Sequence, residues 1–303
     1  MTILLALDGS EKDERGIVAA AALAALTDGA IRIVRVVAEP TDRLGLLTQA
    51  LAAPGAAARS FHGIESELET AAEQLWSKLR REVTWAVVPG ADVADTLLRE
   101  IDEHHARFVV IATRAAGAVG RAIHGSVADH LVRESRQPVL LVPPRAAHLA
   151  GQPLEFRRVL VPFDGSSAAL RVMDHILALP HADTLEFVLF QAVTPPVMIG
   201  APIESEGDEW IHAGAADAER RLLALAERLR QRGSRVEVRV VESSAPAEVI
   251  LDAVRGELVE LIAMTTRGAG GLRRIVLGSV AESVARGSEV PVLLVTARAG
   301  AVN

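Results

Sequence analysis

The 303-residue chain contains no cysteine, which removes structural disulfides, thiolate metal sites and a cysteine nucleophile from consideration. Long hydrophobic runs are missing as well. The longest apolar stretch, Ile17 to Leu26, is mostly alanine and too short to cross a bilayer, and the N-terminus has no basic segment leading into an apolar core. No membrane span and no export signal are therefore expected, and a cytoplasmic location fits best. Excess positive charge is absent too: a net charge of −7 and a pI near 5.8 argue against a nucleic-acid binder, which needs a basic face to displace counterions. Neither a Walker A loop nor a complete G-x-G-x-x-G occurs, so the standard P-loop and dinucleotide sites lack their defining residues.

What is present is ordinary globular material, 50% hydrophobic and 23% charged, written twice. Thr113 to Val142 returns as Thr266 to Val295. The shared positions include Thr113/Thr266, Arg114/Arg267, Gly117/Gly270, Arg121/Arg274, Gly125-Ser126-Val127-Ala128 against Gly278-Ser279-Val280-Ala281, and the Pro138 to Val142 segment against Pro291 to Val295. The start of each half repeats as well, with Leu7-Asp8-Gly9-Ser10 answered by Phe163-Asp164-Gly165-Ser166. The chain is thus a tandem of two homologous domains, placed at 1–147 and 154–300. The boundary lies near residue 150, after Pro143-Pro144 stops the last strand of the first copy.

Each copy holds five short apolar runs separated by segments of helical period. They are Ile3–Leu7, Ile31–Val37, Val83–Val88, Phe108–Ala112 and Val139–Val142, then Val159–Phe163, Thr184–Gln191, Val236–Val241, Leu261–Thr265 and Val292–Val295. Because the runs are continuous instead of alternating, they predict parallel strands buried on both faces. The fold class is α/β, two tandem doubly wound, Rossmann-like domains. The clearest helical segment is Ala215 to Gln231, with Leu222, Leu225, Ala226 and Leu229 on one stripe. Two irregular stretches after the second strand of each copy, roughly 39–63 and 194–212, are candidate flaps.

In such a sheet the ligand crevice lies beyond the carboxyl ends of the strands, and repeated polar residues gather there. Asp8 and Asp164 follow the first strand of each copy and are placed to accept a hydrogen bond from a ligand amine or hydroxyl. Asp-Gly-Ser is equally ordinary turn and capping chemistry. After the fourth strand of the second copy, Thr265-Thr266-Arg267-Gly268-Ala269-Gly270-Gly271 has the glycines that let backbone amides approach an anion. Arg267 could pair with a phosphate. Gly278-Ser279 then opens a helix whose free N–H groups and positive dipole end aim at that loop, while Ser279 with Glu282, like Ser126 with Asp129, also has capping-box spacing. His104 and His105 sit beside Glu103 at an expected solvated helix end, and His124 is Leu277 in the other copy, so no histidine is assigned a catalytic or metal role.

These residues resemble the universal stress protein family in its tandem two-domain form. The family's nucleotide-binding members carry G-x2-G-x9-G-[ST] after the fourth strand. Gly268, nine residues, then Gly278-Ser279 fit most of it, with Thr265 at the first glycine; the first copy has Ala112 and Ala115 at both leading positions before Gly125-Ser126.

The resemblance implies an adenine nucleotide alpha hydrolase-like fold that binds ATP, with AMP or ADP as related ligands and Mg as a companion ion. It implies a stress-response signalling or regulatory role with at most slow ATP hydrolysis and no catalytic residue. It places Asp164 and Ala192 at adenine, with Pro162 and Phe163 leading into Asp164, and Gly268, Gly278, Ser279 and Val280 around ribose and phosphates. Asp8, Val36, Gly125, Ser126 and Val127 are the weaker first-domain counterparts. The second copy is expected to bind ATP more tightly than the first. The resemblance also implies pairing of the two domains through their last strands, so that the chain looks like a fused dimer, with a homodimer of the chain as a further step. The competing expectation is a nucleotide-free scaffolding module, since Thr265, Ala112 and Ala115 stand where the family has glycine.

Overall fold

A computed structural model describes residues 1–38, 56–114, 126–195, 206–266 and 277–296. In chain order its first half contains β1 (Thr2–Ala6), α1 (Asp13–Thr27), β2 (Ala30–Ala38), α2 (Ala56–Leu79), β3 (Val83–Gly90), α3 (Val93–Glu103), β4 (Ala106–Ala112), α4 (Ser126–Glu134) and β5 (Val139–Val142). A short 3-10 turn, Pro144–Leu149, leads into the second half. There the elements are β6 (Arg158–Phe163), α5 (Ser167–Leu177), β7 (Glu186–Val193), α6 (Glu206–Arg230), β8 (Arg235–Glu242), α7 (Pro246–Gly256), β9 (Leu261–Thr265), α8 (Ser279–Gly287) and β10 (Val292–Val295). Each apolar run of the sequence is a strand, and the architecture is the expected doubly wound α/β fold.

Local chemistry sets the boundaries. Asp13 and Glu14 occupy the first turn of α1, where the helix dipole favours negative charge, and Asp28 ends the helix in the left-handed conformation. The Asp92 carboxylate caps α3 by accepting from the Asp95 amide at 2.9 Å. Pro246 starts α7, where a missing N–H costs nothing. The stripe expected on α6 is real, with Leu222, Ala226 and Leu229 buried and Leu225 packed beside them. The two candidate flaps need correction, because α2 begins at Ala56 and α6 at Glu206. The remainder of those stretches lies largely outside the described residues. Helical propensity of the alanine- and glutamate-rich segments prevailed over the irregular reading.

All ten strands form one sheet in the order β3-β2-β1-β4-β5-β10-β9-β6-β7-β8. Within each half the strands are parallel. At the centre β5 and β10 run antiparallel, with Leu141, Leu140 and Val139 facing Val292, Leu293 and Leu294. All eight residues of these two strands are buried. The Thr296 hydroxyl adds a bond across the seam to the Ser135 carbonyl at 2.9 Å. Helices α1, α2, α5 and α6 cover one face and α3, α4, α7 and α8 the other, each face having its own continuous apolar layer through both halves. An antiparallel seam with equivalent helices on the same face relates the halves by a pseudo-twofold perpendicular to the sheet. The carboxyl ends of β1 and β4 therefore open at one edge and those of β6 and β9 at the opposite edge.

The connection between the halves is packed instead of loose: Ala146, Leu149 and Phe156 are buried. His181 also donates its amide to the Leu26 carbonyl at 3.3 Å and sets its Nε2 3.0 Å from Asp28, tying the second half to the end of α1. Because Leu140 is fully buried at the seam, Leu140→Ala should cost about 2–5 kcal/mol, read as a lowered urea midpoint by circular dichroism.

Candidate functional site

In both halves the strand order reverses between the first and fourth strands, β1 beside β4 and β6 beside β9. This is the switch point at which ligands of such sheets sit. The Asp-Gly-Ser turn lies there twice in nearly the same form. Ser10 donates from its amide and hydroxyl to Asp8 Oδ1 at 3.1 and 2.6 Å, and Ser166 does so to Asp164 Oδ1 at 3.0 and 2.6 Å. Gly9 and Gly165 have φ of 79° and 80°, a left-handed turn that suits glycine. Asp8 and Asp164 are exposed. The turn-chemistry reading is thus realised in both copies, and in the second the Ser166 hydroxyl also accepts from Ala169 N at the start of α5, at 3.4 Å.

The two crevices differ in their ladders. β1 is paired with β4 through Ala6 opposite Ile111, whereas β6 is paired with β9 at Val159 and Leu160 and no further. Pro162 supplies a reason. The Leu7 amide bonds towards β2 at Val34, so by strand alternation Ala6 bonds towards β4, and Pro162, at Ala6's place, lacks the N–H that would face β9. The carboxyl half of the β6/β9 boundary is left unlaced while β6 stays in register with β7, Pro162 opposite Phe190. Phe163 is buried at the end of β6, and Ala192, near the end of β7, is partly buried.

Across this gap stands the start of α8. The Gly278 amide donates to the Thr266 carbonyl at 2.7 Å, and Thr266 N in turn reaches Val295 O at 3.1 Å, pinning the helix start to the ends of β9 and β10. Gly278, not Ser279, is the N-cap residue, and no side chain caps the helix. The capping box expected of Ser279 and Glu282 is therefore not formed: Ser279 is already in the first helical position, one residue too late for its hydroxyl to cap. It is exposed, while Val280 is partly buried. Gly278 has φ −66° and ψ 149°, open to any residue, and an added Cβ would make an ordinary 3.5 Å contact with the Thr266 carbonyl. Among the described residues nothing requires glycine here. Asp164, Ala192, Thr265, Gly278 and Ser279 thus all sit at or near one sheet edge, whereas Arg267 and Gly268 lie outside the described residues, as does Gly125 of the first half.

The first-half crevice contains a charged cluster that the repeat did not reveal. Lys12 Nζ lies 3.0 Å from Asp8 Oδ2 and donates to the Ala112 carbonyl at 2.9 Å, at the end of β4. Arg114 binds the same Asp8 oxygen at 2.6 Å. The Asp13 carboxylate accepts from the amides of Asp8 and Gly9, at 3.1 and 2.6 Å for Oδ2. Buried Arg15 donates to the carbonyls of Pro143, Pro144 and Thr113. Val36 and Val127 are partly buried near this edge and Ser126 is exposed at the start of α4. Differences between the copies carried the signal for this cluster: the second copy has Ala168 and Ala169 where the first has Lys12 and Asp13.

Partial burial alone would raise the Asp8 carboxyl, but the Ser10 hydroxyl, Lys12 and Arg114 outweigh it and lower its pKa to about 2. Asp13 moves the other way, raised by burial despite its two amide donors. A carboxylate depressed in the folded state contributes stability that is present above its unfolded value, near 4, and is lost as pH falls through the folded one. Asp8→Asn should therefore be less stable than wild type at neutral pH, and the gap in urea unfolding should shrink as pH is lowered from about 4 towards 2.

Among the described residues one acidic–histidine group, Glu100, Glu103 and His104, has ligating atoms close enough to share an ion. It lies at the end of α3, on the far side of the sheet from the carboxyl ends. Glu100 is already held by Arg32 at 2.8 Å, which accounts for the clustering without a metal. No described helix is long and apolar enough to cross a membrane.

Comparison with known proteins agrees with this architecture. A universal stress protein of Thermus aquaticus is 33% identical over 141 residues, 46% of this chain and 98% of that protein. One of Mycolicibacterium smegmatis is 30% identical over 201 residues, covering 64% of this chain and 63% of its own length. The crystal structure of a universal stress protein from Archaeoglobus fulgidus superposes over 97% of this chain and 98% of its own with a TM-score of 0.67 at 20% identity, a likeness of fold. The sequence profile of the universal stress protein family matches residues 1–143 and again 155–296, and the chain belongs to that family, carrying its domain twice.

Proposed function

We propose that the second domain binds an adenine nucleotide, ATP with Mg, in the crevice between the ends of β6 and β9, and that the chain acts as a cytoplasmic regulator whose nucleotide occupancy is the signal. The observation that carries this reading is Gly278: a glycine that neither its backbone angles nor packing among the described residues demands, at the start of α8, where no side chain caps the helix. A helix N-terminus offers amides and a positive dipole end to phosphate, and a side chain there would crowd an oxygen drawn up to the backbone. Pro162 supports the reading by unlacing the sheet next to it, and the Asp164 carboxylate stands at the mouth as an acceptor for an amine or hydroxyl. Adenine has the first and ribose the second. No group is assigned to bond cleavage, so hydrolysis, if measured, should be slow.

The rival reading is a nucleotide-free scaffold. Thr265 in a family glycine position favours it, as does the engaged Asp8 of the first domain. Titration calorimetry with Mg-ATP separates the two. Gly278→Ala should leave the melting temperature unchanged or slightly raised, because its φ suits alanine. It should weaken Mg-ATP binding by roughly tenfold or more, about 1.4 kcal/mol. Absence of binding to the intact wild-type chain would overturn the proposal, and unchanged affinity in the variant would remove Gly278 from the site.

A further inference from the structure

The first-domain crevice is the better-built of the two in one respect: it is filled by its own chain. Lys12 stretches from the turn before α1 to the far side of the switch point, reaching a carboxylate of the first strand's turn and a carbonyl at the end of the fourth strand with the same ammonium. Of 32 basic residues, Lys12 and Lys78 are the only lysines. An ammonium is a compact point charge with three donors on a flexible stem, whereas the planar guanidinium fork is broader. That geometry suits a bridge between two acceptors in a narrow gap, and the Lys12 side chain is 15% exposed.

Its neighbours close the same space. Arg114 covers Asp8 from the mouth, Asp13 occupies the turn amides of Asp8 and Gly9, and Arg15 rivets α1 to the ends of β4 and β5. Arg35 packs its guanidinium beneath Gly9, so close that a Cβ there would meet it at 2.1 Å, and pairs with Glu67 on α2 at 2.6 Å. At the equivalent positions the second domain has Ala168, Ala169 and Gln191 for Lys12, Asp13 and Arg35. The β1/β4 ladder is also laced to its end, where β6/β9 is not.

We infer that Lys12 is an intramolecular plug that holds the first-domain crevice shut to nucleotide, so that the chain carries one operative site, in its second domain. This rests on the reading of the second domain as the nucleotide site, but the plug itself can be tested without nucleotide. Lys78 is exposed on α2 and serves as the internal control for acetylation of the intact protein by an N-hydroxysuccinimide ester, followed by peptide mass spectrometry. Lys12, engaged by two acceptors, should be acetylated at least about tenfold more slowly than Lys78, and saturating Mg-ATP should leave its rate unchanged. Comparable rates for the two lysines, or a Lys12 rate that shifts when Mg-ATP is added, would overturn the inference.

Calorimetry on the wild type should return about one Mg-ATP per chain; two equivalents would overturn the plug. Absence of nucleotide binding together with slow Lys12 acetylation would sink the second-domain reading alone. The reciprocal graft Ala168→Lys should weaken Mg-ATP binding at least about tenfold while the melting temperature stays close to that of wild type. Unchanged affinity in a folded graft would remove Lys12 from the role of plug.

Discussion

The antiparallel bond ladder between β5 and β10 is the constraint on which the rest of the molecule depends. Each strand is Val-Leu-Leu-Val with every residue buried, and each is the edge of its own parallel half-sheet. Left alone, either half would present an apolar edge with unpaired amides and carbonyls, the kind of edge that recruits other chains. Joined, the two halves become one ten-stranded sheet whose outer strands are β3 and β8. The outer β8 carries Arg235, Glu237 and Arg239, which pair with Glu186, Arg158 and Glu257 respectively, so that edge is charged instead of sticky.

Much of this fold could be read in the sequence, for a physical reason. Strands buried on both faces must be apolar at every position, so Val139–Val142 and Leu261–Thr265 stand out as unbroken runs, and the repeat at fixed offset doubles each signal. The starts of α2 and α6 were not read from the sequence; among the described residues, tertiary packing of Leu68, Leu75, Leu222 and Leu229 holds these helices. Ser279 misled in the opposite sense. Its spacing to Glu282 fits a capping box, but Gly278 takes the cap position, its carbonyl accepting from the Glu282 amide, and Ser279 already lies within the helix.

The candidate site was half legible. Asp164, Gly278 and Ser279 stand out because the copies share them. The unlacing of β6 from β9 follows from a residue visible in the sequence, Pro162, yet its effect depends on which neighbour its missing N–H would face. The cluster around Lys12 was invisible to a comparison of shared positions, since Lys12 and Asp13, which complete it around the shared Asp8 and Arg114, have no charged counterpart in the second copy. Divergence between repeats, at Lys12 against Ala168 and Arg35 against Gln191, marks where two copies of one fold have taken up different chemistry.

The twofold seam also gives the molecule a direction. Because each half points its strand ends away from the other's, a small ligand seated in one crevice has no path to the second along the sheet edge. Any influence must cross the β5/β10 joint, the apolar layers packed on it or the contacts of the connection between the halves. A nearly symmetric chain is thereby given a head and a tail, and whatever grips it from one end meets a surface chemically unlike that at the other.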